Sequence, residues 1–209
     1  MAAMPMPQAR TGLALVLASE SPRRLALLRQ IGIEPAAVEG AHIDESPKPG
    51  ERPADLAARL AGAKADELFA RHPGVLVLGA DTVVARDRRI LPKPQDAETA
   101  RRCLALLSGC WHRVHSAIAV LGPDGARHAR QVETRVAFKR LSGGEIEEYL
   151  ASGEWRGKAG GYAIQGLAGA FVRRIAGSYS GVVGLPLYET YTLLIGLGLA
   201  ARWQPDPAP

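Results

Sequence analysis

The sequence predicts an α/β fold, in which a mixed, twisted sheet is covered by helices on both faces. Two unbroken apolar segments, residues 13–18 and 75–80, are separated by helical patterns, which is typical of buried parallel strands. The second half instead has strand-like segments at 113–121 and 127–138 around a Gly-Pro-Asp-Gly turn at 122–125, which indicates an antiparallel hairpin. We therefore expect two lobes with a cleft between them.

Strands and helices alternate through the first half of the chain. The hydrophobic periodicity predicts a strand at 13–18, a helix at 22–30, an extended segment at 36–38, a helix at 53–71 and a strand at 75–80. Pro22 suits the first turn of the first helix, where a missing N–H costs nothing, and Ser21 is its candidate N-cap. The long helix carries leucines at helical spacing, so we expect that face to pack against the sheet.

Three helices accompany the hairpin in the second half. Their start signals are a capping aspartate, a capping box and a proline: Asp96, Ser142 with Glu145, and Pro186. We expect these helices to end near residues 107, 151 and 201. A Gly-rich stretch before the last helix contains a short apolar strand at 170–172. The ordered domain is expected to span 13–203, between a loose Pro-rich arm at 1–12 and a flexible tail at 204–209.

Composition narrows the class of partner. The chain has 209 residues, 47% of them hydrophobic, and a formal net charge of +5, which favours anionic partners. Aromatic residues make up only 5%, which argues against a stacking platform for single-stranded nucleic acid. Cys103 and Cys110 have no metal-ligand spacing, and the segment at 13–18 is too short for a signal peptide or a membrane span. We therefore expect a cytoplasmic protein that binds neither membranes nor nucleic acid.

Two arginines occupy an unfavourable position. Arg23 and Arg24 lie in the first turn of the first predicted helix, at the positive end of its dipole, where cations are destabilising. They make sense if an anion fills the space between them and the free backbone N–H groups, and phosphate is the usual such anion. The alternative is a solvated helix start with two surface arginines.

Polar residues follow both predicted buried strands. Ser19 comes after the first strand, and Asp81 with Thr82 comes after the second. Ligands of open α/β sheets gather at the carboxyl ends of strands, so Asp81 is a candidate site carboxylate. The alternative is a turn aspartate that caps local backbone groups.

Two lysines and an acidic pair are further candidates. Lys64 lies on the apolar line of the long helix, so it either snorkels at the edge of the core or reaches into the cleft. Lys93 lies between two prolines in a rigid extended segment, which would hold its ammonium in place, although this is also ordinary loop chemistry. Asp44 and Glu45 are either simply solvated or, together with Asp81, able to hold a divalent cation.

Taken together, these segments resemble the Maf family of nucleotide pyrophosphatases. The matching segments occur in the family's order and cover about residues 13 to 195. They are residues 17–24, 79–84, 93–96, 107–109 with His112, 152–154, and 158–166 followed by 182–187.

The resemblance implies an α/β fold related to inosine-triphosphate pyrophosphatases. It also implies hydrolysis of a nucleoside triphosphate to the monophosphate and pyrophosphate, with Mg²⁺ or Mn²⁺ as cofactor and commonly by a homodimer. Asp81 would be the catalytic carboxylate, as general base or as metal ligand together with Glu45. The remaining family positions would bind substrate: Ser19, Arg23, Arg24, Lys64, Thr82, Lys93 and Gln165.

Three of these positions, Arg23, Thr82 and Gln165, separate subgroups of the family. As they stand, they resemble the subgroup that acts on dTTP and UTP and clears non-standard nucleotides. The subgroup that acts on 7-methyl-GTP tends to have Trp, Asp-Gln and Ser-Glu there. Two alternatives stay open: a pyrophosphatase for another modified nucleotide, and a regulatory or binding protein, since family members have been linked to septum formation.

Overall fold

The computed structural model describes residues 12–201. The predicted tail and all of the predicted arm except Gly12 lie outside the described residues, as do residues 202 and 203 of the predicted domain. No helix in the described part is long and apolar enough to cross a membrane.

One mixed sheet runs through both halves of the described chain. Its strands, in chain order, are β1 (Leu15–Ala18), β2 (Ala37–Glu39), β3 (Leu76–Arg86), β4 (Arg89–Leu91), β5 (Trp111–Leu121), β6 (Arg127–Phe138) and β7 (Val172–Ala176). Their spatial order is β2-β1-β3-β5-β6-β7, and β4 pairs with β3. The strand β1 pairs in parallel with β2 and β3, whereas all other pairings are antiparallel. The predicted hairpin, β5 with β6, therefore extends the same sheet.

Helices cover both faces of this sheet, as predicted. They are α1 (Pro22–Gln30), α2 (Pro53–Phe69), α3 (Ala97–Leu107), α4 (Gly143–Ser152), α5 (Tyr179–Val183) and α6 (Leu187–Gly196). Side chains of a strand alternate between the two faces, and β1 shows this directly. Leu15 and Leu17 belong to the larger core cluster, while Val16 and Ala18 pack in a second cluster with the leucines of α2.

The capping predictions have different outcomes. The Asp96 side chain accepts a hydrogen bond from the backbone N–H of Thr99 and caps α3, and Ser142 and Glu145 form the predicted capping box of α4. Ser21 occupies the predicted N-cap position of α1, but its side chain makes no capping hydrogen bond. Its backbone N–H donates instead to the hydroxyl of Ser19, at 3.2 Å.

Two predicted boundaries in the second half are wrong. Residues 167–171 form a 3-10 turn, and the strand begins only at Val172, where pairing with β6 starts. The final helix ends at Gly196 instead of near residue 201. Gly198 has a φ of 90°, a left-handed conformation that ends helices.

The strand β3 differs most from its prediction, and the difference creates the site. It continues past Ala80 to Arg86 because β5 pairs with it from Val77 to Ala85. Asp81 therefore lies within a strand and does not follow one. On the opposite edge, β1 pairs with β3 only as far as Gly79, and β4 pairs only from Val84 onward. Among the described strands, none therefore pairs with residues 80–83 on that edge, which we call the open edge.

Candidate active site

A cavity of about 450 Å³ lies beside the open edge. It is lined by Glu45 and by all seven predicted substrate-binding residues: Ser19, Arg23, Arg24, Lys64, Thr82, Lys93 and Gln165. Asp81 is not part of the lining surface, because it lies behind Lys64 and only 2% of it is exposed. Asp44 is exposed in its loop and accepts a hydrogen bond from the backbone N–H of Ser46, away from the lining.

Close packing of α2 on β3 brings Lys64 to Asp81. Gly79 and Asp81 point to the same face of β3, towards α2. A Cβ atom at Gly79 would lie 2.2 Å from the carbonyl oxygen of Ala61, so only glycine allows the helix to approach this closely. Lys64, on the next turn of α2, then reaches the carboxylate of Asp81 with an Nζ–Oδ1 distance of 2.7 Å.

Four alternating charges form a chain along one side of the cavity. Lys64 Nζ lies 2.7 Å from Asp81 and 2.5 Å from Glu45, and the second oxygen of Glu45 lies 2.7 Å from Lys93 Nζ. We call Asp81, Lys64, Glu45 and Lys93 the acid–lysine chain. Lys64 is only 6% exposed, so its ammonium reaches into the cleft and does not extend to bulk solvent.

Glu45 remains a carboxylate in this chain at neutral pH. Partial burial raises the pKa of Glu45, but hydrogen bonds from Lys64 and Lys93 lower it by more. The resulting pKa is about 2.

The two arginines lie elsewhere on the wall and are held by backbone carbonyls. Arg24 donates from Nε to the carbonyl of Gly184 and from Nη1 to the hydroxyl of Ser19, both at 2.9 Å. Arg23 donates from Nε to the carbonyl of Val183, at 3.4 Å. Burial lowers the pKa of both guanidinium groups, and the charge of Arg24 lowers that of Arg23 further. Among residues 12–201, neither has a carboxylate partner within 4.0 Å.

Thr82 and Gln165 complete the set of predicted residues. Thr82 points to the face of β3 opposite Asp81, and its hydroxyl lies 3.5 Å from the carbonyl of Gly184. Gln165 is exposed at the cavity in the loop after Tyr162. The structure thus brings together residues that are far apart in sequence.

Sequence reasoning missed several residues of the cavity wall, including Glu20, Arg156, Lys158 and Tyr162. Arg156 and Lys158 lie in the Gly-rich stretch, where the periodicity used to place the other elements is absent. The signal available in the sequence was the presence of two cations among glycines, because Gly-rich loops with cations often bind phosphate.

His112 supports the wall from behind. Its Nε2 lies 2.8 Å from the hydroxyl of Tyr162, and its ring packs edge-on against Phe138 and Tyr162. Burial lowers the pKa of His112 to about 4, so the ring is neutral at pH 7.

Known proteins have similar sequences over most of this chain. The family model described as "Maf-like protein" matches residues 14–197. The chain belongs to the Maf family. A relative from Paramagnetospirillum magneticum, named dTTP/UTP pyrophosphatase, is 61% identical over 186 residues, which cover 89% of this chain and 98% of the relative. A protein of the same name from Rhodospirillum rubrum is 60% identical over 184 residues, or 88% of each chain.

Among solved structures, the dITP/XTP pyrophosphatase of Mycobacterium abscessus aligns with this Maf protein with a TM-score of 0.43 and 23% identity. The alignment covers 62% of this chain and 76% of the other.

Proposed function

We propose that this Maf protein hydrolyses nucleoside triphosphates, with dTTP and UTP favoured, to the monophosphate and pyrophosphate. The observation that carries the proposal is a single cavity in which Arg23, Arg24, Lys64 and Lys93 converge close to the buried carboxylate of Asp81. The cavity volume of about 450 Å³ suits a small polyanionic ligand. The names of the relatives supply the substrate class, and clearing unwanted nucleotides from the pool is the corresponding role.

The reaction requires charge neutralisation on the leaving group. Water attacks the α phosphorus, a new P–O bond forms, and the bond from that phosphorus to the bridging oxygen breaks, so that pyrophosphate leaves. Guanidinium and ammonium groups that are already in place stabilise the charge that develops on the leaving oxygens, without reorganisation during the reaction. Asp81 is proposed to accept the proton of the attacking water.

The carboxylates of Asp81 and Glu45 suit a divalent cation. Both lie beside Lys64 Nζ, so the two carboxylates are close to each other, and a cation held between them would replace that ammonium. The described residues contain no group of three or more His, Cys, Asp or Glu that could hold a metal. Mg²⁺ is commonly bound by one or two carboxylates together with substrate phosphates, and this donor set fits that pattern. When bound there, Mg²⁺ or Mn²⁺ would supply further charge neutralisation on the phosphates.

Gln165 and Thr82 are proposed to select the base. The amide of Gln165 offers both a donor and an acceptor, which matches the edge of a pyrimidine. Thr82 lines the same cavity, where its side chain would set the width of the pocket.

The proposal includes a cytoplasmic homodimer. Two free cysteines, Cys103 and Cys110, support a reducing compartment. Tyr188, 78% exposed at the start of α6, is an apolar surface residue available to an interface. Light scattering on the purified chain measures its mass in solution directly.

The deciding experiment measures pyrophosphate release from dTTP, UTP, CTP, GTP and 7-methyl-GTP, with Mg²⁺, with Mn²⁺ and with EDTA. We expect turnover of dTTP and UTP that needs the metal and that falls roughly 10² to 10⁴-fold in Asp81→Asn, the range for loss of a general base. Asp87→Asn is the matched control, because Asp87 is an exposed turn residue with a φ of 55° that asparagine tolerates. Folded wild-type protein that turns over none of these nucleotides would contradict the proposal.

A further inference from the structure

Lys158 lines the same cavity as Arg23, outside the acid–lysine chain and outside the residues assigned above. It precedes a 3-10 turn at Ala159–Gly161, in which Gly160 and Gly161 have φ values of 69° and 71°. Other residues rarely adopt such values, so the backbone path beside Lys158 depends on these glycines.

The backbone around Lys158 is fixed to the rest of the site. The N–H of Gly160 donates to the carbonyl of Pro92, the residue before Lys93, at 2.9 Å. A Cβ atom at Gly160 would lie 2.8 Å from Val84 on β3, so this turn packs tightly against the strand that carries Asp81. Lys158 is therefore held in a defined position relative to the catalytic strand.

The ammonium of Lys158 has few partners within the described part of the protein. It donates one hydrogen bond, to the carbonyl of Arg156 at 2.9 Å, and no carboxylate within residues 12–201 pairs with it at salt-bridge distance. Lysine has three N–H donors, so two stay available to a ligand. We call Arg23, Arg24 and Lys158 the unpaired cations.

Lys158 and Arg23 also repel each other. Burial lowers the pKa of Lys158, and the charge of Arg23 lowers it further, while Glu154 has a smaller opposite effect. Two like charges on one cavity wall are unfavourable unless an anion binds between them. The lysines of the acid–lysine chain are already neutralised by Glu45 and Asp81. The remaining positive charge of the cavity lining comes from the unpaired cations and Arg156, against one further carboxylate, that of Glu20.

We infer that Lys158 is a substrate-binding residue that, together with Arg23, contacts the phosphate chain of the nucleotide. This inference rests on the proposed function for the identity of the anion. A purely structural role, in which Lys158 only satisfies the carbonyl of Arg156, predicts a loss of stability without a specific loss of phosphate affinity.

The test compares Lys158→Met and Lys158→Arg with Lys48→Met, a matched control at an exposed lysine that does not line the cavity. Two quantities are measured on the full chain with Mg²⁺: steady-state hydrolysis of dTTP, and equilibrium binding of inorganic pyrophosphate by calorimetry. Thermal unfolding shows that each variant is folded.

We expect Lys158→Met to raise KM for dTTP and weaken pyrophosphate binding roughly ten- to hundredfold, as for a lost hydrogen bond to a charged group, with kcat changed less than threefold. Lys158→Arg should recover most of both losses, and Lys48→Met should match the wild type. Unchanged KM and pyrophosphate affinity in folded Lys158→Met would overturn the inference, and so would a fall in kcat alone.

The pyrophosphate measurement separates the two proposals. If the wild type binds pyrophosphate through Lys158 but hydrolyses no nucleotide, the proposed function fails and the phosphate contact is supported. If the wild type hydrolyses dTTP and Lys158→Met does so with the same KM, the proposed function is supported and the inference about Lys158 fails.

Discussion

The two sides of the cavity hold similar cations in opposite ways. In the acid–lysine chain, Lys64 and Lys93 are neutralised by Asp81 and Glu45 at 2.5 to 2.7 Å. The unpaired cations, Arg23, Arg24 and Lys158, are held by backbone carbonyls and one hydroxyl. Removing one partner of a buried charge pair strongly destabilises the folded protein, because the other charge is left buried and uncompensated. Unpaired like charges, in contrast, repel each other and oppose folding. We therefore expect the first side to support the fold and the second to serve the ligand at some cost in stability.

The largest effect is expected on the paired side. Lys64→Met leaves the buried carboxylate of Asp81 without its ammonium partner, and it should lower the free energy of unfolding by about 3 kcal/mol. Urea denaturation at pH 7 measures this loss. In the double variant Lys64→Met/Asp81→Asn the uncompensated charge is also removed, so part of the stability should return. A loss below about 1 kcal/mol in the single variant would show that the pair does not support the fold.

An intermediate effect on stability is expected for His112, the neutral ring that packs behind the cavity wall. The pKa of His112 is about 4 in the folded chain and 6.5 in the reference state, so the unfolded chain binds more protons between these values. The stability contributed by neutral His112 is complete above pH 6.5 and is lost as the pH falls towards 4. Between pH 7 and pH 5 this contribution amounts to about 2 kcal/mol.

The check for His112 compares the pH dependence of unfolding in wild type and His112→Gln, with exposed His42→Gln as control. We expect the loss of stability between pH 7 and pH 5 to be smaller in His112→Gln by about 2 kcal/mol, whatever its stability at pH 7. Parallel pH profiles in the two proteins would exclude His112 as the titrating group.

The smallest effect on stability is expected among the unpaired cations, and it has the opposite sign. Arg23→Met removes a charge that is repelled by Arg24 and held only by a 3.4 Å hydrogen bond, so stability should stay equal or rise by up to about 0.5 kcal/mol. Affinity for pyrophosphate should fall in the same variant. A destabilisation above about 1 kcal/mol would mean that Arg23 supports the fold and would remove the contrast between the two sides.

The sequence determines much of this fold locally. The bounds of α1 and the end of α3 match their predictions, because proline, capping residues and hydrophobic periodicity act over a few neighbouring residues. The length of β3 was not predictable in this way. Asp81 and Thr82 interrupt the apolar pattern, and only the pairing of β3 with β5, more than thirty residues later in the chain, keeps them in a strand.

The residues of the site were more predictable than their arrangement. Motif resemblance identified eight residues that line one cavity, but it could not show that Lys64 bridges Asp81 and Glu45. That contact depends on the close approach of α2 at Gly79, which is a property of tertiary packing. Lys158 was missed as a separate candidate because the pattern of two cations among glycines does not show which other residues the Gly-rich loop approaches.

The open edge of β3 also bears on the risk of self-association. Exposed sheet edges are sites where another polypeptide adds a strand and starts aggregation. Here the uncovered part spans only residues 80–83, and β1 and β4 close it at either end. A typical strand needs about five or six residues, so a foreign chain has too little room to align in this gap. This gap in the sheet can therefore admit a small anion while it remains too short for another protein chain to pair with β3.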